Sequence, residues 1–298
     1  MIICCGYVNL DVSVQLPTLP DDGARVHASA IERHPGGMAA NVANAAARFG
    51  IEVGFVGAVG DDPDGRWLLA DLRAEGIDVT DIAVDRTTTL CLILVTPDGQ
   101  RAIVSVDDAV TPADVGRAHA RAASAGGLLY RDGYRWPAAA EAITADAATT
   151  GRATVVTDLD GCPDRDGLEA AMRTADHVLC SRDVFAQLAA TADATSAAVQ
   201  LADQHDTTVV LTAGADGWWA TAAGRQWSGG GIEVEVVDTT GAGDAFCGAY
   251  IAELHAGAPV PEAAAVANAA AGLSTRAIGA RDGLVDRRTA RDFWRTMS

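Results

Sequence analysis

The stretch Val236–Tyr250, VVDTTGAGDAFCGAY, decides how the rest of the chain is read. Before it, IEVEVVD (Ile232–Asp238) alternates apolar with acidic residues, as a half-exposed strand does. After it, DAFCGAYIAELHAG places Phe246, Ala249, Tyr250 and Leu254 on one helical face, and Gly257 and Pro259 end the helix. Gly241, Ala242 and Gly243 therefore occupy a turn between strand and helix. Glycine there permits positive φ and close approach of a ligand to the backbone, and the N–H groups of a helix N-terminus cradle anionic oxygen. Asp244 stands at the helix start, facing whatever the cradle holds. A carboxylate beside phosphate is repelled unless a magnesium ion or a transferable proton intervenes. Asp244 thus reads either as a general base beside a phosphoryl group in transfer or as a plain N-cap over a tight glycine turn. A dinucleotide fingerprint fits poorly, since the glycine pair comes late in the chain and the third glycine is displaced by two positions.

Working outward, β-rich runs alternate with alanine-rich helical runs, the signature of an α/β fold. MIICCGYV opens as a strand. GGMAANVANAAARFG reads as a helix stopped at Gly50, VGFVGAVG as a strand, and GRWLLADLRAEG as a helix stopped at Gly76. Further strands are expected near Leu128-Leu129, Thr154–Thr157, His177–Cys180 and Val209–Thr212, with helices between them. The expected fold is a doubly wound, mainly parallel sheet covered on both faces. Two segments break that rhythm: 11–37 offers extended runs without a helix, and Thr89–Val106 is a hairpin turning at Pro97-Asp98-Gly99. Together they form a small β-sheet lid, about 12–35 and 88–108, on a single domain spanning 1–298. The lid is placed over the crevice where the parallel strands end.

The chain has 298 residues, 49% apolar and 21% charged, enough for a substantial core. No basic n-region with a long apolar core opens it, and no run approaches the ~18 apolar residues of a membrane span, so a cytoplasmic protein without a membrane partner is expected. A net charge of −18 without a basic stripe argues against nucleic acid. All 22 basic residues are arginine, which removes Schiff-base chemistry and the lysine of a Walker A loop. The six cysteines have no C-x-x-C spacing and read as small core residues.

DTTGAGDAFCGAY resembles the C-terminal signature of the ribokinase/PfkB carbohydrate kinases, and PGGMAANVANAAARFG with VGFVGAVGDDPDG resembles their N-terminal signature. The resemblance spans nearly the whole chain. It implies a ribokinase-like fold and transfer of the γ-phosphoryl group of ATP to a hydroxyl, with Mg2+ as cofactor. By matching position, Asp244 is implied as the base, with the amides of Gly241, Ala242 and Gly243 holding the growing charge. Asp11, Gly36, Gly37 and Asn41 are implied at the sugar. Thr212, Gly214, Gly217, Asn268 and the loop through Gly279 and Ala280 are implied at the nucleotide, and Asp238 and Thr240 at a monovalent cation such as K+. The family's Asn-x-x-Glu pattern reads here as Ser181 and Val184, a departure that resembles the ketohexokinase and sulfofructose kinase branches and leaves magnesium placement open.

The expected activity is phosphorylation of a primary hydroxyl on a ketose or an anionic (phosphorylated or sulfonated) ketose. Arg135, or Arg33 beside His34, would meet the anionic group through a bidentate guanidinium, although an arginine in a solvated loop explains either equally well. A nucleoside kinase is the alternative, weakened by an aliphatic lid hairpin, and a non-catalytic sugar or nucleotide sensor is the rival of another class. A homodimer through the lid is expected.

Overall fold

A computed structural model describes residues 1–98, 100–106, 110–134 and 152–297. In chain order the strands are β1 (Ile2–Cys5), β2 (Asn9–Gln15), β3 (Ala30–Gly36), β4 (Val53–Val56), β5 (Thr89–Val95), β6 (Arg101–Ser105), β7 (Leu128–Arg131), β8 (Thr154–Asp158), β9 (His177–Ser181), β10 (Thr208–Thr212), β11 (Trp218–Ala222) and β12 (Arg225–Gly229). The described helices are α1 (Met38–Arg48), α2 (Pro63–Ala74), α3 (Pro112–Ser124), α4 (Arg165–Thr174), α5 (Arg182–Leu188), α6 (Ala194–His205), α7 (Ala242–His255), α8 (Val260–Ser274) and α9 (Arg287–Met297).

β1 is apolar at every position because helices cover both of its faces. Ile2 and Cys4 enter one core, shared with α1, α2, α7 and α8, while Ile3 and Cys5 enter the other, shared with α3, α4, α5 and α6. Strand alternation thus divides one run between two cores. The main sheet runs β12-β11-β10-β9-β8-β7-β1-β4. It is parallel from β10 to β4. Its far edge is an antiparallel hairpin, β11 with β12, that the alternating βα pattern does not announce. Five of the six cysteines are buried and all are free thiols.

The second sheet, β3-β2-β5-β6, contains the four strands expected of the lid. β2 pairs antiparallel with β3 and parallel with β5, and β5 pairs antiparallel with β6.

Two local expectations are corrected. Ile232–Asp238 is not a strand. Its alternation arises because Ile232, Val234 and Val236 line a cavity while Glu233 and Glu235 face solvent, and Val237 and Asp238 donate their N–H groups to the Thr275 carbonyl. Nor does α7 bury a single face: every residue from Ala245 to Glu253 is buried, between α1 and α8. Gly248 makes that close packing possible, because a Cβ there would lie 2.4 Å from the Ala45 Cβ.

The parallel strands end on one side of the sheet, where Gly6, Asp132, Asp158 and Ser181 follow or close β1, β7, β8 and β9. After β1 the chain adds β4 on one side and then β7 on the other, so the strand order reverses here. Ligands of open α/β sheets bind at such a reversal.

Candidate active site

The turn before α7 has the shape its glycines suggest. Gly241 takes φ +74° and is the residue that precedes the helix, with no side-chain cap bond. Asp244 therefore does not cap α7; its Oδ2 accepts a 2.8 Å hydrogen bond from Asn41 Nδ2 on α1. Of the three small residues, Ala242 already gives its N–H to the Thr239 carbonyl at 3.2 Å. Gly243 faces open space, with nothing within 4 Å of where a Cβ would sit. The anion cradle expected from three amides thus relies on those of Gly241 and Gly243, which make no hydrogen bond among the described residues.

On the lid side, Asp11 on β2 accepts from Asn9 Nδ2 at 2.5 Å. Gly36 packs directly against it: a Cβ there would fall 2.1 Å from Asp11 Oδ2. Gly37 precedes α1 with φ +101°, and a Cβ there would meet the Tyr7 carbonyl at 2.5 Å. Both glycines let the lid close onto the start of α1. Gly36→Ala is expected to displace Asp11 and raise the acceptor KM about tenfold while the ATP KM holds, the pattern of a lost acceptor contact. Steady-state kinetics with each substrate varied checks this.

Five carboxylates converge on this crevice. Burial pushes Asp244 up to about 7, opposed by the Asn41 hydrogen bond and the positive charge of Arg281 and assisted by the negative charges of Asp160 and Asp11. Burial likewise raises Asp132 to about 7, although it accepts from the Tyr7 N–H at 2.7 Å. Asp158 is pushed well above the carboxylate range by burial and by Asp160. Burial also raises Asp11.

Asp158, Asp160 and Arg281 were not anticipated from the sequence. Asp158 ends β8 and Asp160 follows two residues on, so the position of the crevice at strand ends could have flagged them. Arg281 has no local signal. It lies between α8 and α9, and its Nε donates to Asn41 Oδ1 at 2.8 Å while its Nη1 pairs with Asp71 of α2. Tyr134 packs edge-on against Tyr7, ring centroids 4.7 Å apart, at the border of the described residues.

A cavity of about 370 Å³ lies on the other side of the turn. Thr212, Gly214, Gly217 and Asn268 line it as expected, with Val234 and Phe246 among its apolar walls, and it reaches Ala242 and Gly243. Apolar walls for a base and the unpaired Gly243 amide for phosphate fit ATP. Gly279 does not line the cavity; its N–H holds Asp238 Oδ2 at 2.9 Å. Asp238 Oδ1 accepts from both the N–H and the hydroxyl of Thr240, at 2.9 and 2.7 Å, so the pair proposed for a monovalent cation also closes its own loop.

Where the family pattern has Asn and Glu, Ser181 donates its N–H and hydroxyl to Asp160 Oδ1, at 3.0 and 2.8 Å, and Val184 packs against the second core. Among the described residues no group of three or more His, Cys, Asp or Glu side chains is placed to hold a metal. Arg33 is tied to Asp64 at 2.6 Å on the surface, away from a role at the acceptor. His34 faces Glu32. Arg135 lies outside the described residues. Among those residues no helix is long and apolar enough to cross a membrane.

Two packed layers of helix on a parallel sheet, a lid, and an acid beside free amides define a phosphotransferase of the ribokinase type. Residues 1–287 match the pfkB family carbohydrate kinases, and the chain belongs to that family. It is 32% identical over 288 residues to the ATP-dependent ribose-1-phosphate kinase of Halopiger xanaduensis, covering 94% of this chain and 93% of that one. The ribokinase of Giardia lamblia superposes with a TM-score of 0.86 at 21% identity over 100% of this chain and 99% of its own. The Arabidopsis thaliana ribokinase complexed with ribose and ATP superposes with a TM-score of 0.82 at 22% identity, over 98% of each chain. These two establish the fold. The protein is an ATP-dependent sugar kinase. The ketohexokinase and sulfofructose kinase branches suggested by Ser181 and Val184 are not the ones these comparisons point to.

Proposed function

We propose that this kinase phosphorylates a primary hydroxyl of a small sugar held between Asp11, Gly36, Gly37 and Asn41, with Asp244 removing the hydroxyl proton. The observation that carries the reading is the placement of Asp244. It leaves its own helix uncapped, turns to Asn41 on the sugar side, and directly follows Gly243, whose unpaired amide borders the cavity. A carboxylic acid near 7 is matched to abstracting a hydroxyl proton at neutral pH. The N–H groups of Gly241 and Gly243 receive the charge that grows on the phosphoryl oxygens. Mg2+, when bound with ATP, neutralises the phosphate charge that five nearby carboxylates would otherwise repel. Closure of the lid over Asp11 excludes water.

The ketose acceptor inferred from Ser181 and Val184 loses ground to a pentose or pentose phosphate, because the curated relative at 32% identity is a ribose-1-phosphate kinase. Arg281, whose charge acts on Asp11, is already paired with Asp71, so an anionic acceptor would draw on Arg135. The test is a panel of ribose, ribose phosphates, ketoses, ketose phosphates, sulfosugars and nucleosides with ATP and Mg2+, following ADP, in KCl and in choline chloride. Turnover with one sugar class supports the reading and names the class. Turnover only with nucleosides replaces it, and tight sugar binding without ADP makes the chain a sensor. An unchanged rate in choline removes K+ from Asp238 and Thr240.

The lid also supports a homodimer. Strand pairing puts Val12, Val14, Ile31, Leu92, Leu94 and Val104 on the face opposite Asp11, with Ile31 66% and Val104 59% exposed. An apolar sheet face of this kind calls for a cover. Light scattering is expected to give twice the monomer mass, and Val104→Glu the monomer; a monomeric wild type at micromolar concentration would remove the dimer.

A further inference from the structure

We propose that Arg281 is a positioning residue for phosphoryl transfer: anchored on Asp71, it grips the oxygen end of the Asn41 amide and so forces the nitrogen end onto the carboxylate of Asp244. The inference rests on the role of Asp244 given above. Four side chains from four parts of the fold form one chain of contacts. Asp71 of α2 pairs with Arg281 Nη1, Arg281 Nε reaches Asn41 Oδ1 at 2.8 Å, and Asn41 Nδ2 reaches Asp244 Oδ2 at 2.8 Å. An asparagine amide can turn over at little cost, but a guanidinium has only donors to offer. With Arg281 in place, Asn41 can present only its oxygen to the arginine and only its NH2 to Asp244. Without Arg281, the amide oxygen is free to face Asp244, where it favours a protonated carboxyl.

The charges around Asp244 point the same way. Asp11 comes from β2, Asp132 follows β7, Asp158 and Asp160 stand at the end of β8, Tyr130 lies in β7 and Tyr134 just after it, and Cys247 lies one turn along α7. Against these acids and weak acids, the positive charge acting on Asp244 is that of Arg281, and it acts on Asp11 as well. Among the described residues its buried Nη2 has no hydrogen-bond partner. A clamp built for stability alone would satisfy that nitrogen; one held in place by its neighbours for the sake of the Asn41 contact need not.

Arg281 is also the third of three consecutive residues that touch the site. Gly279 latches Asp238, Ala280 fills the space above Gly241, and Arg281 holds Asn41. One short loop thereby fixes the phosphate turn and the sugar helix relative to each other.

The test follows the Asp244 carboxyl directly, by 13C NMR titration of the aspartate-labelled protein with the resonance assigned by its loss in Asp244→Asn, and needs no acceptor. Arg281→Met is expected to titrate about one pH unit higher, the size of a lost partner at this range, and Arg281→Lys to recover most of the shift. With the acceptor identified by the panel, kcat/KM of Arg281→Met is expected to fall about tenfold at pH 6.5 and to approach wild type above pH 8.5, with the ATP KM unchanged. A Met variant that melts like wild type and titrates like wild type overturns the proposal, as does an activity loss equal at every pH. Should the Met variant not fold, Arg281→Gln, which keeps a donor but no charge, carries the same titration with the same direction of shift. Because the titration is read on the protein alone, a failed acceptor panel leaves it able to decide, and an unmoved carboxyl overturns the relay without touching the kinase assignment.

Discussion

Asp244→Asn is expected to lower kcat about a thousandfold while the ATP KM stays within about twofold of wild type. A positioned general base contributes roughly 10²–10⁴ in rate, and the asparagine keeps the size and the contact distance to Asn41 while losing the ability to take a proton. The acid limb of the wild-type profile is expected to fall tenfold per pH unit below about 7, since the protonated carboxyl that dominates there cannot act as base. The same shift carries a stability signature. Asp244 binds its proton more tightly in the folded chain than in the unfolded one, where it has the ordinary carboxylate value of 3.8. Its contribution to folding is therefore fully present below that value and is lost as pH rises through about 7. Asp244→Asn escapes the loss, so it is expected to melt above wild type at pH 8 and close to it near pH 4. Kinetics on the acceptor found by the panel, with thermal melts at both pH values, checks both halves. A variant that retains wild-type kcat removes Asp244 from the chemistry whatever its melting temperature does.

The doubly wound sheet and its lid were legible because their signals are local. MIICC can be apolar throughout only if both faces are covered, and the hairpin of β5 and β6 advertises its turn. Asp244 and its glycines were legible for the same reason, as fifteen contiguous residues carry an extended approach, a glycine turn and a helix start. Ile232–Asp238 misled because alternation reports two different surroundings, not a sheet: a cavity on one side and water on the other give the same period. The edge hairpin of β11 and β12 was missed because a short antiparallel pair at the end of a parallel sheet leaves the βα rhythm undisturbed. Arg281 could not be read at all. Its meaning comes from Asn41, 240 positions earlier, and Asp71, 210 positions earlier, and nothing in ARDG distinguishes it from a solvated arginine. Arg33 showed the converse, a basic residue beside Gly36 and Gly37 that the fold places in a surface pair with Asp64.

Gly241→Ala is expected to cost about 2–4 kcal/mol of stability and to reduce kcat about a hundredfold or more. The stability loss has two sources of similar size. Alanine pays for the left-handed backbone at φ +74°, and its methyl group would lie 2.6 Å from the Ala280 Cβ and 2.7 Å from the Ala280 Cα. Relief by moving Ala280 away is blocked on both sides, by the Gly279 latch on Asp238 and by the grip of Arg281 on Asn41. The turn must move instead, and with it the Gly243 amide at the edge of the cavity. Losing one well-aimed donor to a developing anion costs about 10²–10³ in rate. Gly243→Ala separates the two effects. Nothing stands within 4 Å of its added methyl, and alanine suits a helical position better than glycine, so this variant is expected to melt no lower than wild type. The methyl would nonetheless enter the space where the phosphoryl group is received, and kcat is expected to fall while folding is untouched. Melting curves and initial rates on the two variants decide the matter: a fully active Gly243→Ala would mean that the open space beside Asp244 is not where phosphate passes.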